Sequence, residues 1–384
     1  MLPFLVAVAL WMVPTAQAHP LPGTVISITL DDARTRFDIE VPIPELRLAL
    51  PASVPGTADL SAEPHRSAVA AYFLEHCIVR STDGVAQPLA VEEMSVSERR
   101  DDTVGLYQIL RIRVAADPTL TFTGREFTLG YDAVIHRVPN HFAVVQVVQD
   151  FRAGALGAEP AGDWGVVRYD FSNNRIPPLE ISVAPGSVWR GVLATVGLGF
   201  RHVIVGIDHL AFLLTLLFVA PLRAVDGRWS LFQGWSYAAR RFLAISLAFT
   251  LGHSAALLIG AGGLVPMPRQ AIEMAVAATV LVTAIHAIRP LFATREWMIA
   301  AAFGTIHGLA FSEALAGLAV SGGVRALAIF GFNAGVEGAQ LVAMLCAVPV
   351  LAASRLHSFD VVRVVAMTGT AAAAVFWLIE RGAF

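Results

Sequence analysis

Residues 196–220 read VGLGFRHVIVGIDHLAFLLTLLFVA, an apolar stretch that carries Arg201, His202, Asp208 and His209. The hydrocarbon core of a bilayer is about 30 Å thick, and a helix of about 20 apolar residues crosses it. The stretch is therefore long enough to span a membrane. Ionisable side chains inside such a segment are costly, which makes them candidates for function.

Five further apolar stretches follow in the same half of the chain. The chain has 384 residues, of which 56% are hydrophobic and 15% are charged, whereas soluble domains usually carry about 25% charged residues. This composition excludes a disordered protein and most soluble enzymes. The sequence predicts a polytopic α-helical membrane domain of about six transmembrane helices over residues 188–384, embedded in a lipid bilayer. The predicted spans are 196–220, 242–260, 271–289, 297–320, 326–352 and 363–380.

The front half of the chain has a different character. Up to Val188 it contains 22 acidic residues and 14 Arg, and the remainder contains 8 acidic residues and 13 Arg. Residues 25–30 and 36–41 alternate apolar and polar side chains around a turn, as half-buried strands do. Similar patterns predict a mostly β, sandwich-like domain over residues 19–187. There is no basic stripe with interleaved aromatic residues, so we expect no binding to nucleic acid.

Charge and the amino terminus together predict the topology. Residues 1–18 read MLPFLVAVALWMVPTAQA and end in Ala-Gln-Ala, which predicts a cleaved signal peptide; a retained anchor is the alternative. Alternate loops between the predicted spans carry eight Arg against two, which places the eight in the cytoplasm. We therefore expect an integral protein of a bacterial inner membrane, with the N-terminal domain and the C-terminus on the periplasmic side.

Polar residues in four of the predicted spans suggest one metal site. His202 and His209 are seven residues apart, which puts them on nearly the same face of a continuous helix. Imidazole and carboxylate groups together can bind nickel, cobalt or zinc. The alternative is that these polar groups only hold the helices together. The predicted metal ligands are His202, Asp208, His209, His253, His307 and Glu337, supported by Ser254, Glu313, Asn333 and Gln340, with Glu273 and His286 on an entry or exit pathway.

Four motifs in the membrane half carry a resemblance to a known family. The first is a His, five residues and then Asp-His, beginning at His202; the others are FTLGHS (249–254), HGLAF (307–311) and FNAGVEGAQL (332–341). With these motifs, residues 189–384 resemble the HupE/UreJ family, membrane proteins associated with hydrogenase and urease. The resemblance implies a permease for nickel or cobalt.

Three functions remain open from the sequence. The first is a transition-metal permease. The second is a membrane-embedded zinc hydrolase that uses the same ligands, an open coordination position and Glu337 or Glu313 as general base. The third is a metal sensor or assembly partner whose outer domain docks another extracytoplasmic protein. The sequence contains no HExxH, GxSxG, P-loop or dinucleotide-binding motif, and the resemblance favours transport.

Overall fold

A computed structural model describes most of the chain and separates it into two compact units. The predicted signal peptide, residues 1–18, lies outside the described residues. The described residues are 23–30, 35–57, 59–101, 104–116, 125–157, 162–261, 268–316, 318, 320, 322–346, 352 and 359–382. The β unit lies within Met1–Leu30, Arg34–Val147 and Gly162–Val183, and the helical unit lies mainly within Val148–Ala161 and Ala184–Phe384.

The β unit consists of two antiparallel sheets. In chain order the strands and helices are β1 (Thr24–Leu30), β2 (Thr35–Pro42), α1 (Ile43–Ala49), α2 (His65–His76), β3 (Cys77–Ser81), β4 (Ala86–Gln87), β5 (Leu89–Asp101), β6 (Gly105–Ala116), β7 (Glu126–Tyr131), β8 (Phe142–Asp150), β9 (Ala155–Leu156), β10 (Gly162–Arg168) and β11 (Leu179–Ser182). The larger sheet has the order β10-β8-β1-β2-β6-β5 with β9 beside β8, and the smaller has the order β11-β7-β3-β4. Strand β9 and the end of β8 that it pairs with belong to the segment grouped with the helical unit.

Alternating side chains from the two sheets form one core. Ile26 and Ile28 of β1 are fully buried, because residues two apart on a strand point to the same face. Phe37 of β2 meets Phe127 of β7 edge to face, with ring centroids 6.0 Å apart, so the two sheets pack against each other. These features confirm the prediction of a mostly β, sandwich-like region ahead of the helices.

The helical unit includes a short segment ahead of its first long helix. Phe151 belongs to the buried cluster that contains Val192 of that helix, and the described residues 148–157 are grouped with the helices. The elements of this unit after that segment are α3 (Val188–Val205), α4 (Ile207–Val219), β12 (Leu222–Val225), β13 (Arg228–Phe232), α5 (Trp235–Ala261), α6 (Arg269–Ile288), α7 (Glu296–Ala316), α8 (Gly322–Cys346) and α9 (Phe359–Gly382).

Five helices among the described residues are long and apolar enough to cross a membrane. They are α3, α5, α6, α8 and α9, and α4 is a shorter apolar helix of 13 residues. All of these helices overlap predicted spans, and α7, which covers most of the fourth predicted span, is not among the five. The layout confirms the prediction of a polytopic helical membrane domain.

The first predicted span, 196–220, is not one helix, which corrects the sequence-based prediction. Helix α3 ends at Val205, and α4 starts at Ile207 after Gly206, whose φ of −73° and ψ of 102° are extended rather than helical. A Cβ atom at Gly206 would lie 2.7 Å from His209 Nδ1 and 2.8 Å from the carbonyl oxygen of His202. The turn is therefore tight enough to require glycine.

Glycines also allow pairs of helices to pack with their backbones in direct contact. An added Cβ at Gly331 or Gly335 of α8 would overlap α3, near Thr195 and Val196 respectively. The contacts advance in the same direction along both helices, so α3 and α8 run parallel. Small residues permit such close approach between membrane helices.

Helices α5 and α7 pack in the same way. Gly304 of α7 lies against Phe249 of α5, and Gly308 lies against His253 one turn further along both helices. These two helices are therefore also parallel, and their contact surface includes His253.

Candidate functional site

Four of the predicted ligands meet in the helical unit. His202 lies in the last turn of α3, His209 in the first turn of α4, His253 in α5 and His307 in α7. The ring centroids of His202 and His209 are 4.5 Å apart, those of His202 and His253 6.3 Å, and those of His209 and His307 5.0 Å. Three helices and the start of a fourth thus contribute to one histidine cluster.

The break at Gly206 brings His202 and His209 together. In a continuous helix, residues seven apart are separated by about 10.5 Å along the axis. The observed centroid separation is 4.5 Å, because the extended backbone at Gly206 redirects the chain. The two residues therefore meet across the break at Gly206 and not on one face of a continuous helix.

Several imidazole nitrogens of the cluster are buried without a hydrogen-bond partner. Among the described residues these are His202 Nε2, both ring nitrogens of His209, His253 Nε2 and His307 Nδ1. His253 and His307 are each only 1% exposed. Buried polar groups are nearly always hydrogen-bonded, and an unsatisfied one costs about 1–3 kcal/mol. The free nitrogens therefore point to a ligand, and neutral imidazole is a common metal ligand.

The partner of His253 determines which of its nitrogens carries the proton. His253 Nδ1 lies 3.3 Å from Asn333 Oδ1, and the Asn333 amide nitrogen donates to the carbonyl oxygen of Ile329 at 2.9 Å. The amide oxygen can only accept, so Nδ1 carries the proton and Nε2 the lone pair. Metal-binding histidines characteristically donate their other N–H group in this way.

A similar argument applies to His307, through a residue that the sequence analysis missed. His307 Nε2 lies 2.9 Å from the hydroxyl oxygen of Thr279 in α6, and that hydroxyl donates to the carbonyl oxygen of Val276 at 2.7 Å. The hydroxyl oxygen therefore accepts from His307 Nε2–H, which leaves the lone pair on Nδ1. A threonine in an apolar helix gives no sequence signal of this role.

Asp208 lies at the edge of the cluster. Its Oδ1 is 3.6 Å from His209 Nδ1, and its Oδ2 is 3.5 Å from Arg381 Nη2 near the end of α9. Arg381 also donates to the carbonyl oxygen of Glu273 at 3.0 Å. The sequence analysis did not associate Arg381 with this site, because 173 residues separate it from Asp208.

Glu337 has a different environment from the four rings. Ser246 of α5 donates to Glu337 Oε2 at 3.3 Å and also hydrogen-bonds to Gln340. Glu337 Oε1 is buried and has no partner among the described residues. The described contacts of Glu337 are thus with Ser246, about two helical turns before His253 along α5.

Ser254 and Glu273 have no described hydrogen bond or ion pair with the four rings. Ser254 donates to the carbonyl oxygen of Thr250 in its own helix at 2.7 Å. Glu273 pairs with Arg269 at 2.9 Å, one turn earlier in α6. The side chain of Glu313 lies outside the described part of the structure.

His286 belongs to a separate polar group at the other end of α6. Its Nε2 lies 3.1 Å from Glu296 Oε1, and its Nδ1 accepts from the backbone N–H of Leu291 at 3.0 Å. Glu296 in turn accepts from Arg241 Nε at 2.7 Å. The sequence analysis missed the pair of Arg241 and Glu296, because each stands alone near a different helix end.

The histidine cluster offers suitable atoms for a metal, although the rings are not arranged as a closed shell. In the described part of the chain, no group of three His, Cys, Asp or Glu side chains is positioned to coordinate one metal ion. The rings of His202 and His209 meet at 64°, and those of His209 and His307 at 82°. Binding therefore requires rotation of the side chains toward a common point. Imidazole nitrogens with a nearby carboxylate suit nickel, cobalt or zinc.

The four histidines lie in the part of the chain that matches a known protein family. The model of the family described as HupE / UreJ protein matches residues 180–381, more than half of the chain. The chain belongs to the HupE/UreJ family. All the predicted ligands of this HupE/UreJ protein lie within the matched residues. Membership links it to nickel and cobalt transport and to a membrane location. No curated protein and no solved structure matches the chain.

Proposed function

We propose that this HupE/UreJ protein is a permease for a divalent transition-metal ion of the nickel and cobalt class, which it carries through the histidine cluster. The observation that carries this proposal is the set of five buried imidazole nitrogens, on four converging rings, that have no hydrogen-bond partner among the described residues. One of them, His209 Nδ1, lies within ion-pair distance of Asp208. Each neutral ring has one lone pair, so a passing cation would bind up to four of these nitrogens and remove the cost of leaving them unsatisfied.

The interrupted helix supports transport. Secondary transporters often form their ion sites at discontinuous helices, whose freed backbone groups line the pathway. In this chain the interruption at Gly206 lies between two of the four histidines. A set of ligands that must rotate to bind also suits a cargo ion that is released again.

Catalysis by the same residues has less support. A general base must lie within hydrogen-bond reach of the water that it deprotonates. The described contacts of Glu337, one of the two candidates for this role, are with Ser246 rather than with any of the four rings. The family membership of the chain adds support for a permease over a zinc hydrolase.

The proposal includes a topology in the inner membrane of a bacterium. We place the N-terminal domain and the C-terminus on the periplasmic side, with residues 1–18 removed as a signal peptide. In this topology α6 crosses between α5 and α7, which makes these two helices parallel, and their glycine contacts agree with that direction. A reporter fused after Phe384 should be active only outside the cytoplasm; activity only in the cytoplasm would contradict the topology.

Nickel uptake into proteoliposomes tests the transport proposal. We expect His209→Ala and His307→Ala to abolish uptake and to remove nickel bound at the cluster. His65→Ala, in the β unit, is the matched control and should leave both unchanged. Wild-type uptake and nickel binding by both cluster variants would overturn the proposal.

A further inference from the structure

A second pair of histidines lies in the β unit, outside the site described above. His76 ends α2, and His136 lies in the turn that follows Asp132. Their rings stack with centroids 4.2 Å apart and planes at 8°. Both rings line an open groove that Glu75 and Arg137 also line.

One residue orients both rings. His76 Nδ1 lies 2.7 Å from the Asp132 carboxylate oxygen Oδ1, and His136 Nδ1 lies 3.0 Å from the Asp132 carbonyl oxygen. Both oxygens only accept, so each neutral ring carries its proton on Nδ1 and its lone pair on Nε2. Among the described residues neither Nε2 takes part in a hydrogen bond. Histidines that bind metals typically donate their other N–H to a carboxylate or a backbone carbonyl.

The turn that carries His136 is held in a strained conformation. Val134 has a φ of 67°, which is a genuine outlier for a β-branched residue. Its backbone N–H donates to the Tyr72 hydroxyl at 2.8 Å, and Val134 is fully buried. Strain of this kind persists only where the surroundings enforce it, and it is concentrated at functional sites. Tyr72 also packs against the His76 ring, with centroids 4.5 Å apart.

We propose that His76 and His136 bind a divalent transition-metal ion through their Nε2 atoms, with Asp132 as the residue that positions both rings. Imidazole suits nickel, copper and zinc. Parallel rings cannot direct both lone pairs at one ion, so the rings splay apart when the metal binds. With two imidazole ligands the ion keeps open positions for water or for Glu75, so the site exchanges its metal readily. This site is independent of the proposed membrane site.

Nickel titration of the full-length protein in detergent tests this site. We expect His76→Gln/His136→Gln to bind one nickel equivalent fewer than the wild type in equilibrium dialysis. The control His65→Gln should match the wild type. His307→Ala should keep the nickel of the β unit, so failure of the membrane site remains distinguishable. A double variant with wild-type stoichiometry would overturn the proposal.

Footprinting of the unmutated protein removes any concern about folding. Diethyl pyrocarbonate modifies free imidazole nitrogens, and mass spectrometry of peptides locates the product. Nickel should reduce modification of His76 and His136 several-fold while leaving His65 unchanged. Equal modification with and without nickel at His76 and His136 would contradict the proposed site, whatever the double variant does.

Discussion

Thr279 provides the sharpest test of how the histidine cluster binds its ion. Its hydroxyl oxygen accepts from His307 Nε2 at 2.9 Å and is the one described contact that sets the tautomer of this ring. Thr279→Val removes the hydroxyl and nearly preserves the shape of the side chain. The Nε2–H group of His307 then loses its partner in a site where the ring is 1% exposed.

The size of the effect follows from this geometry. An unpaired buried donor costs about 1–3 kcal/mol, and the ring can relieve that cost by moving its proton to Nδ1. The proton then occupies the lone pair that would bind the metal. Loss of such an orienting partner typically lowers metal affinity by about 10–100-fold, which corresponds to about 1.4–2.8 kcal/mol.

Nickel affinity from equilibrium dialysis measures this effect, with Thr283→Val as the matched control. Thr283 lies one turn further along α6, and its hydroxyl donates only to backbone oxygens of its own helix in the described contacts. Both substitutions therefore remove a similar bond within the helix, and only Thr279→Val affects His307. We expect the control to stay within about twofold of the wild type. Equal affinities for the two variants would refute the assigned tautomer.

Three further predictions follow from single positions. Gly206→Ala places a Cβ atom 2.7 Å from an imidazole nitrogen of the cluster and should abolish nickel uptake at a cost of about 1–3 kcal/mol in stability. Gly197→Ala, where an added Cβ meets nothing within 4 Å, is its control, and equal uptake would contradict the tight turn. Glu296→Gln removes the charged partner of the largely buried Arg241, which keeps its hydrogen bonds to the carbonyl oxygens of Val219 and Leu222. We expect the helical unit to lose up to about 3 kcal/mol of stability, measured by thermal unfolding in detergent; an unchanged melting temperature would count against it. Burial raises the pKa of the Cys77 thiol from 9.0 to about 12. The unfolded chain therefore loses this proton at lower pH than the folded chain. The contribution of Cys77 to the stability of the β unit is fully present below pH 9 and is lost progressively from pH 9 to 12. Cys77 should resist maleimide at pH 8 until denaturant is added, whereas the exposed Cys346 should react at once; rapid native labelling of the Cys77 peptide would disprove its burial.

The sequence by itself determined the two-part architecture and the candidate residues. Apolar stretches of about 20 residues, alternation along the strands and polar groups inside apolar segments are local properties of the chain. They were sufficient to predict the β region, the helical membrane region and the four histidines that meet there. The HupE/UreJ motifs were equally local, and the family assignment of residues 180–381 confirmed them.

Only the tertiary structure decided how those residues are arranged. The break at Gly206 depends on the fit of one backbone position between His202 and His209, whereas an apolar pattern continues across it. Thr279 hydrogen-bonds to His307 from another helix, and His286 pairs with Glu296 away from the histidine cluster. The hydrogen-bond partners of these side chains lie on different helices. Which nitrogen of each ring carries the proton is therefore determined only when the helices pack. The periodicity of a single helix contains no information about those partners.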